Sequence, residues 1–199
     1  GNTVYDSRDS CNAIIETARS ILIVGCQKSV IPGSVKAIGG WAFYCCTGLT
    51  SIHIPNSVTE IGFEAFYRCS SLIGVNIPNS VKVIGYQAFY GCSSLRGIHI
   101  PGSVRSIGDS AFEYCPSLSS MSVAIDNPRF DSRDECNAII DSRENTLIAG
   151  CRNTVIPSTV MAVGDYAFSG CSTLASLDIP VGGGSGGGSC LVGGALPSP

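Results

Sequence analysis

Eleven cysteines and two histidines are the side chains in this 199-residue chain best suited to chemistry. Thiolates and imidazoles hold zinc when four of them converge at about 2.0–2.3 Å from one point. Cysteines also close disulfides or, beside a base, act as nucleophiles. Spacing decides among these. Cys46, Cys69, Cys92 and Cys115 recur every 23 residues, and His53 and His99 stand two such periods apart.

The period belongs to the whole chain between Ile31 and Pro180. Cut at Ile-Pro, it reads IPGSVKAIGGWAFYCCTGLTSIH from Ile31, IPNSVTEIGFEAFYRCSSLIGVN from Ile54 and IPNSVKVIGYQAFYGCSSLRGIH from Ile77. IPGSVRSIGDSAFEYCPSLSSMS follows from Ile100 and, after an interruption, IPSTVMAVGDYAFSGCSTLASLD from Ile156. Five copies at one period predict a solenoid, in which each coil buries its apolar face only by stacking on its neighbours. Within a unit, L-x-x-I-x-I-P reads as a short strand stopped by proline, and S-V-x-x-I-G as a second extended piece ending in glycine. The A-F-x-x-C stretch is long enough for one turn, of 3₁₀ type.

The interruption also repeats. YDSRDSCNAIIETARSILIVGC (Tyr5–Cys26) matches FDSRDECNAIIDSRENTLIAGC (Phe130–Cys151) at a constant offset of 125. Each copy reads as a β-hairpin. Pairing Cys11 with Cys26 sets Ile14 opposite Ile23 and leaves Thr17–Ser20 as the turn; the second copy pairs Cys136 with Cys151 around Ser142–Asn145.

These elements sort the candidate residues. Coils stacked about 4.8 Å apart hold Cys46, Cys69, Cys92, Cys115 and Cys171 in a line, which cannot surround a tetrahedral metal. They are expected to pack as small buried hydrophobes. His53 and His99, with Asn76 between them, face outward about 9.6 Å apart, too far to share one ion. In the hairpins Cys11/Cys26 and Cys136/Cys151 face each other, as thiols or as cross-strand disulfides. The DSRD stretches are charged loops that lack the alternating carboxylates of a calcium site. No catalytic residue, metal site or cofactor is expected, because no nucleophile–base pair, phosphate loop or metal-spaced cluster is present.

Composition excludes other classes. With 14% charged residues, a net charge of −3 and only three lysines (Lys28, Lys36, Lys82), there is no electrostatic footprint for nucleic acid or a membrane surface. No apolar run reaches the ~20 residues of a membrane span, and no signal peptide heads the chain. The sequence begins inside patterned residues and reads as cut from a longer array.

The motif IPxSVxxIGxxAFxxCxxLxxIxIP, with CNAII…L…GC hairpins between blocks, resembles the BspA-type leucine-rich repeats over roughly residues 3–181. That resemblance implies a right-handed, mainly β solenoid with a parallel sheet on its concave face. It further implies a secreted or cell-surface protein of anaerobic bacteria, adhesion to host matrix or cell-surface proteins, and reduced thiols. The organisation read from the sequence is one leucine-rich repeat solenoid over 1–181, with hairpin modules at 5–26 and 130–151 and repeats at 31–123 and 156–180.

Behind it, GGGSGGGS (182–189) has the composition of a flexible engineered linker, and CLVGGALPSP (190–199) matches no repeat and reads as an appended peptide. Two cysteines remain outside every pattern, Cys45 and Cys190. Cys45 precedes the ladder at a place where other coils carry Arg68, Gly91, Tyr114 and Gly170, a variety that marks exposure. About five or six coil spacings, ~24–29 Å, separate Cys45 from the array's end. The eleven residues from Ile179 to Cys190 span at most ~36–40 Å extended. A Cys45–Cys190 disulfide pinning the peptide beside Trp41 is therefore reachable but stretched, and a bridge to a neighbouring chain is equally allowed. The peptide could instead cap the array's last edge.

The expected function is a non-catalytic binding module. Its candidate contacts are the outward residues of the strands, Ser51, His53, Asn76, His99, Ser122 and Asp178, with Arg96 at the rim and Trp41 beside Cys45. The expected partner is a protein or peptide, with the chain's own residues 190–199 as one candidate. The alternative is a structural spacer with no ligand, its tail a tag or edge cap.

Overall fold

A computed structural model describes residues 3–171. Each coil turns immediately after its Ile-Pro, where the proline carbonyl accepts the N–H of the valine three residues on: Val35 from Pro32, Val58 from Pro55, Val81 from Pro78, all at 3.0 Å. Proline supplies no donor to a ladder, so the strand before it ends there. The buried Val then leads into a two-residue strand: β4 (Ala37–Ile38), β6 (Glu60–Ile61), β8 (Val83–Ile84), β10 (Ser106–Ile107) and, past the interruption, β15 (Ala162–Val163). After the A-F turn the chain returns as β5 (Ser51–His53), β7 (Gly74–Asn76), β9 (Gly97–Ile100) and β11 (Ser120–Val123), one parallel sheet in the order β11-β9-β7-β5.

The expected solenoid of parallel sheets is what forms. Its core is the stack of repeated letters: Val58, Ile61, Ala65, Phe66, Cys69 and Leu72 in one coil are fully buried, as are their counterparts Val81 to Leu95 in the next. Phe43, Phe66, Phe89 and Phe112 stack face to face, with ring centroids 5.1, 5.2 and 5.7 Å apart.

The A-F turn makes i→i−3 bonds (Ala42 to Gly39, Tyr44 to Trp41, Cys46 to Phe43), as a 3₁₀ turn would. The alternate N–H groups, those of Trp41, Phe43 and Cys45, donate instead to Phe63, Ala65 and Tyr67 of the next coil at 2.7–3.0 Å. A third intercoil ladder results. Trp41 and Cys45 adopt positive φ, 60° and 53°, a conformation that costs an L-residue about 1–2 kcal/mol.

The first hairpin module contains β1 (Tyr5–Asp6), β2 (Ile14–Glu16) and β3 (Ile21–Val24), and β3 joins β4 in parallel. The module thus heads a seven-stranded sheet, β1-β2-β3-β4-β6-β8-β10. The expected turn over Thr17–Ser20 is present, but the register differs. Ile14 pairs with Val24, not Ile23, because a bulge between Ile14 and Ile15 shifts the ladder by one. The second module, β12 (Phe130–Asp131), β13 (Ala138–Asp141) and β14 (Thr146–Gly150), carries the same kind of bulge between Ile139 and Ile140 and joins β15. Its three strands and β15 form a separate four-stranded sheet, so the seven-stranded sheet ends at β10. The core divides at the same place: Cys136, Ala138, Ile140 and Leu147 pack with Ile156, Ala167 and Phe168 in a smaller second cluster.

The DSRD stretches prove more ordered than charged loops. Each folds into a 3₁₀ turn whose arginine grips the first aspartate in a fork, Arg8 on Asp6 at 2.9 and 2.5 Å and Arg133 on Asp131 at 2.8 and 2.6 Å.

Candidate functional site

On the four-stranded sheet, parallel register lines up equivalent residues. Ser51 pairs with Gly74 and Gly74 with Gly97; Gly97 pairs with Ser120, His53 with Asn76, and His99 with Ser122. The alternate positions, Ile52, Ile98 and Met121, point into the core. Period-2 alternation therefore brings Ser51, His53, Asn76, His99 and Ser122 to one outward face. All but Ser122, which is half-buried, are exposed. His99 Nδ1 and Ser122 Oγ share a hydrogen bond of 2.9 Å, the one side-chain hydrogen bond within this row.

The edge of this sheet at β11 is closed by the second hairpin module. Asn137 accepts the Met121 N–H at 2.8 Å and donates to the Ser119 carbonyl at 2.9 Å. Arg96 sits exposed just before β9, its carbonyl accepting the Ser119 N–H. Asp178, Cys190, the linker and the appended peptide lie outside the described residues.

Trp41 is not brought to this face. It lies in the A-F turn, 56% exposed, its indole N–H donating to Glu64 at 3.2 Å and its ring edge-on to Phe63 at 4.2 Å. Cys45 is exposed as expected, but its place in the coil is defined by conformation as well as by exposure. Arg68 and Tyr114 there have φ of 53° and 52°, and Gly91 and Gly170 have 69° and 82°. Two glycines among five coils were the sequence signal for this left-handed position.

The ladder thiols do more than fill space. Cys69, Cys92 and Cys115 each donate to the phenylalanine carbonyl of the preceding coil (Phe43, Phe66, Phe89) at 3.1–3.2 Å. Burial pushes the Cys69 and Cys115 thiols up to about 12, Cys171 up to about 11, and raises Cys92 as well. The hairpin cysteines are free thiols, Cys26 and Cys151 donating to the carbonyls of Asn12 and Asn137. Backbone and hydroxyl donors at Lys28 and Ser29 lower Cys26 below the ordinary thiol range.

At pH 8, a thiol titrating near 12 is thiolate in only about one molecule in ten thousand. Iodoacetamide is therefore expected to label Cys45 and Cys26 in the native protein, and Cys69, Cys92 and Cys115 only after denaturation. Peptide mass mapping checks this; rapid native labelling of Cys92 would contradict it. Maps made without reductant also report whether Cys45 is joined to Cys190.

Sequence reading missed Glu113. It occupies the place held by Tyr44, Tyr67 and Tyr90, whose rings stack 4.8–4.9 Å apart, and its side chain is buried. Burial raises its carboxyl above the usual range, opposed by the Ser110 and Ser169 hydroxyls. A carboxyl raised on folding stabilises the fold below its unfolded pKa, near 4.5, and that contribution is lost as pH climbs through the folded value. Glu113→Gln should therefore raise the melting temperature at pH 7 and lose that advantage by pH 4. An equal shift at both pH values would remove burial as the cause.

Among the described residues no three His, Cys, Asp or Glu side chains could hold a metal ion, and no helix is long and apolar enough to cross a membrane. Residues 24–133 and 147–191 match the profile of the BspA type leucine rich repeat region, in six copies covering more than half of the chain. Similar solved structures include the pneumococcal vaccine antigen PcpA, 25% identical with a TM-score of 0.62, where the match covers 68% of this chain and 34% of that one. A leucine-rich repeat protein from Bacteroides ovatus is 26% identical with a TM-score of 0.58, over 88% of this chain and 51% of that one. Another, from Eubacterium ventriosum, shares the fold at 20% identity and a TM-score of 0.60, over 92% of this chain and 61% of that one. This chain thus spans about a third of the PcpA structure and about three-fifths of the Eubacterium one. No curated protein sequence matches it.

Proposed function

Because the chain belongs to the BspA-type leucine-rich repeat family, we propose that it is a non-catalytic binding module of a bacterial cell-surface or secreted protein. It recognises an extended protein or peptide segment through the outward face of the sheet β5-β7-β9-β11. The observation that carries this reading is the aligned polar row itself: His53, Asn76 and His99 stand out from strands whose other faces are packed in the core. Stacked strands fix these groups without ordering cost at the moment of binding, which is how a surface with few aromatic anchors gains affinity. A surface setting is supported by the family and by likeness to a pneumococcal vaccine antigen.

Host matrix proteins are the partners the family resemblance favours, with residues 190–199 of the same chain as an internal competitor. Hydrogen-exchange footprinting with a bound matrix protein tests the site. Protection confined to β5, β7, β9 and β11 is expected. Protection centred on Trp41 and Cys45 would move the site to the A-F turns, and no bound partner at all would favour a spacer.

A further inference from the structure

Where the second hairpin module enters the array, the regular ladder opens. In the preceding coil Phe89 donates to Ala111, but the equivalent carbonyl of Ala167 is taken by Gly150 of the hairpin, and the coils rejoin only at Tyr114, which donates to Ser169. Between β10 and the hairpin this leaves a cavity of about 480 Å³, within the range of small-molecule sites. Its lining includes four aromatic residues, the exposed Tyr86 and Tyr166 and the buried Phe112 and Phe130, and the Phe130 ring already carries the Arg129 guanidinium at 5.3 Å.

Four carboxyls line it, Asp109, Glu113, Asp141 and Asp165, together with the hydroxyl-bearing Tyr86, Ser110 and Tyr166. Glu113 is 8% exposed and its Oε1 has no hydrogen-bond partner among the described residues. The Ser110 and Ser169 hydroxyls act on the same carboxyl, which leaves Oε1 as the buried oxygen open to a further donor. Arg129, the one cation in the lining, is already committed: its Nε and Nη2 donate to Asp141 at 3.2 and 3.1 Å and its Nη1 to the Arg105 carbonyl at 3.0 Å. Asp109 and Asp165 also line the cavity, and neither makes an ion pair among the described residues.

The acidic residues sit where the other coils differ. Asp109 and Asp165 follow the coil glycine in the two coils that flank the interruption, at the position of Gly40, Phe63 and Tyr86 elsewhere. These carboxylates do not gather around one point as metal ligands would. Dispersed carboxylates, an orphaned buried oxygen and aromatic walls suit an organic ammonium, which donates hydrogen bonds and lies favourably over ring faces.

We propose that the cavity between β10 and the second hairpin is a binding site for a small organic amine, with Glu113 receiving its ammonium group. The site is separate from the outward sheet face, and its test does not depend on that face.

Calorimetric titration of the full chain with 1,4-diaminobutane tests it. Saturable binding is expected, weakened at least tenfold by Glu113→Gln and several-fold by the surface pair Asp109→Asn with Asp165→Asn. The neutral isostere 1,4-butanediol should not bind. Thermal melts of each variant confirm that it is folded. No saturable binding by the unaltered protein, equal binding by folded Glu113→Gln, or equal binding of the diol would overturn the proposal. So would displacement of the amine by millimolar calcium.

Discussion

Replacing Gly85 by alanine is expected to be among the most damaging single changes in the array, although it adds one methyl group. A Cβ there would lie 2.5 Å from the Phe63 nitrogen and 2.6 Å from the Gly62 carbonyl carbon of the coil before. Both are backbone atoms, so no rotamer change relieves the clash. A Cβ at Gly62 would come as close to the backbone of Gly40, and one at Gly108 as close to that of Tyr86. The glycine column is thus where successive coils come into backbone contact, and Gly85 donates there to Ile61 at 2.8 Å. Overpacking in a core costs about 1–3 kcal/mol, and a backbone clash that wedges two coils apart belongs at the top of that range or above. A loss of about 3 kcal/mol lowers the melting temperature by about 6–12 °C in a chain of this size. Gly33→Ala, whose Cβ meets nothing within 4 Å, serves as the control and should stay within about 0.5 kcal/mol. Equal melting temperatures for the two variants would mean that the coils do not touch at the glycine column.

Phe66→Ala should cost as much by the opposite route. Phe66 is fully buried and stacks on Phe43 at 5.1 Å and on Phe89 at 5.2 Å, so truncation removes two ring pairs and leaves a void between two coils. Large-to-small changes of this kind cost about 3–5 kcal/mol, and each aromatic pair adds about 0.5–1.5 kcal/mol beyond its buried area. Because each coil touches only its neighbours, the loss falls on both interfaces of the second coil and weakens the array at its middle. Phe112→Ala should cost less. Its ring is 7% exposed and has one stacking partner in this column, Phe89 at 5.7 Å. Chemical denaturation of the two variants gives the ranking; a larger loss for Phe112→Ala would contradict it.

The coil architecture was legible because each role recurs five times. Proline ended a strand, alternating apolar letters marked the core side, and the outward row His53, Asn76, His99 followed from period 2 alone. What escaped depends on one coil differing from another or on contacts across coils. The bulge between Ile14 and Ile15 that pairs Ile14 with Val24 is a local irregularity of one ladder, which a count from the cysteines could not see. Glycine in S-V-x-x-I-G was read as the end of an extended piece; its reason is close approach of the neighbouring backbone, invisible within one coil. Cysteine was read as a hydrophobe, and its bond to a carbonyl 26 residues earlier appears only when coils are stacked. Glu113 was in plain view as a carboxyl in a tyrosine column. Its burial, however, depends on how the second hairpin parts the sheets.

The most direct test of the binding reading replaces the outward row together. His53→Ala, Asn76→Ala and His99→Ala remove exposed groups from strands whose buried residues are untouched, so the melting temperature should hardly change. The triple variant and the parent would be compared by surface plasmon resonance on a panel of immobilised extracellular-matrix proteins. The expected result is saturable binding of the parent to at least one of them and at least a tenfold weaker affinity for the variant, about 1.4 kcal/mol or more. Unchanged affinity in the folded triple variant, or no binding by the parent, would contradict the assignment of this face as the site.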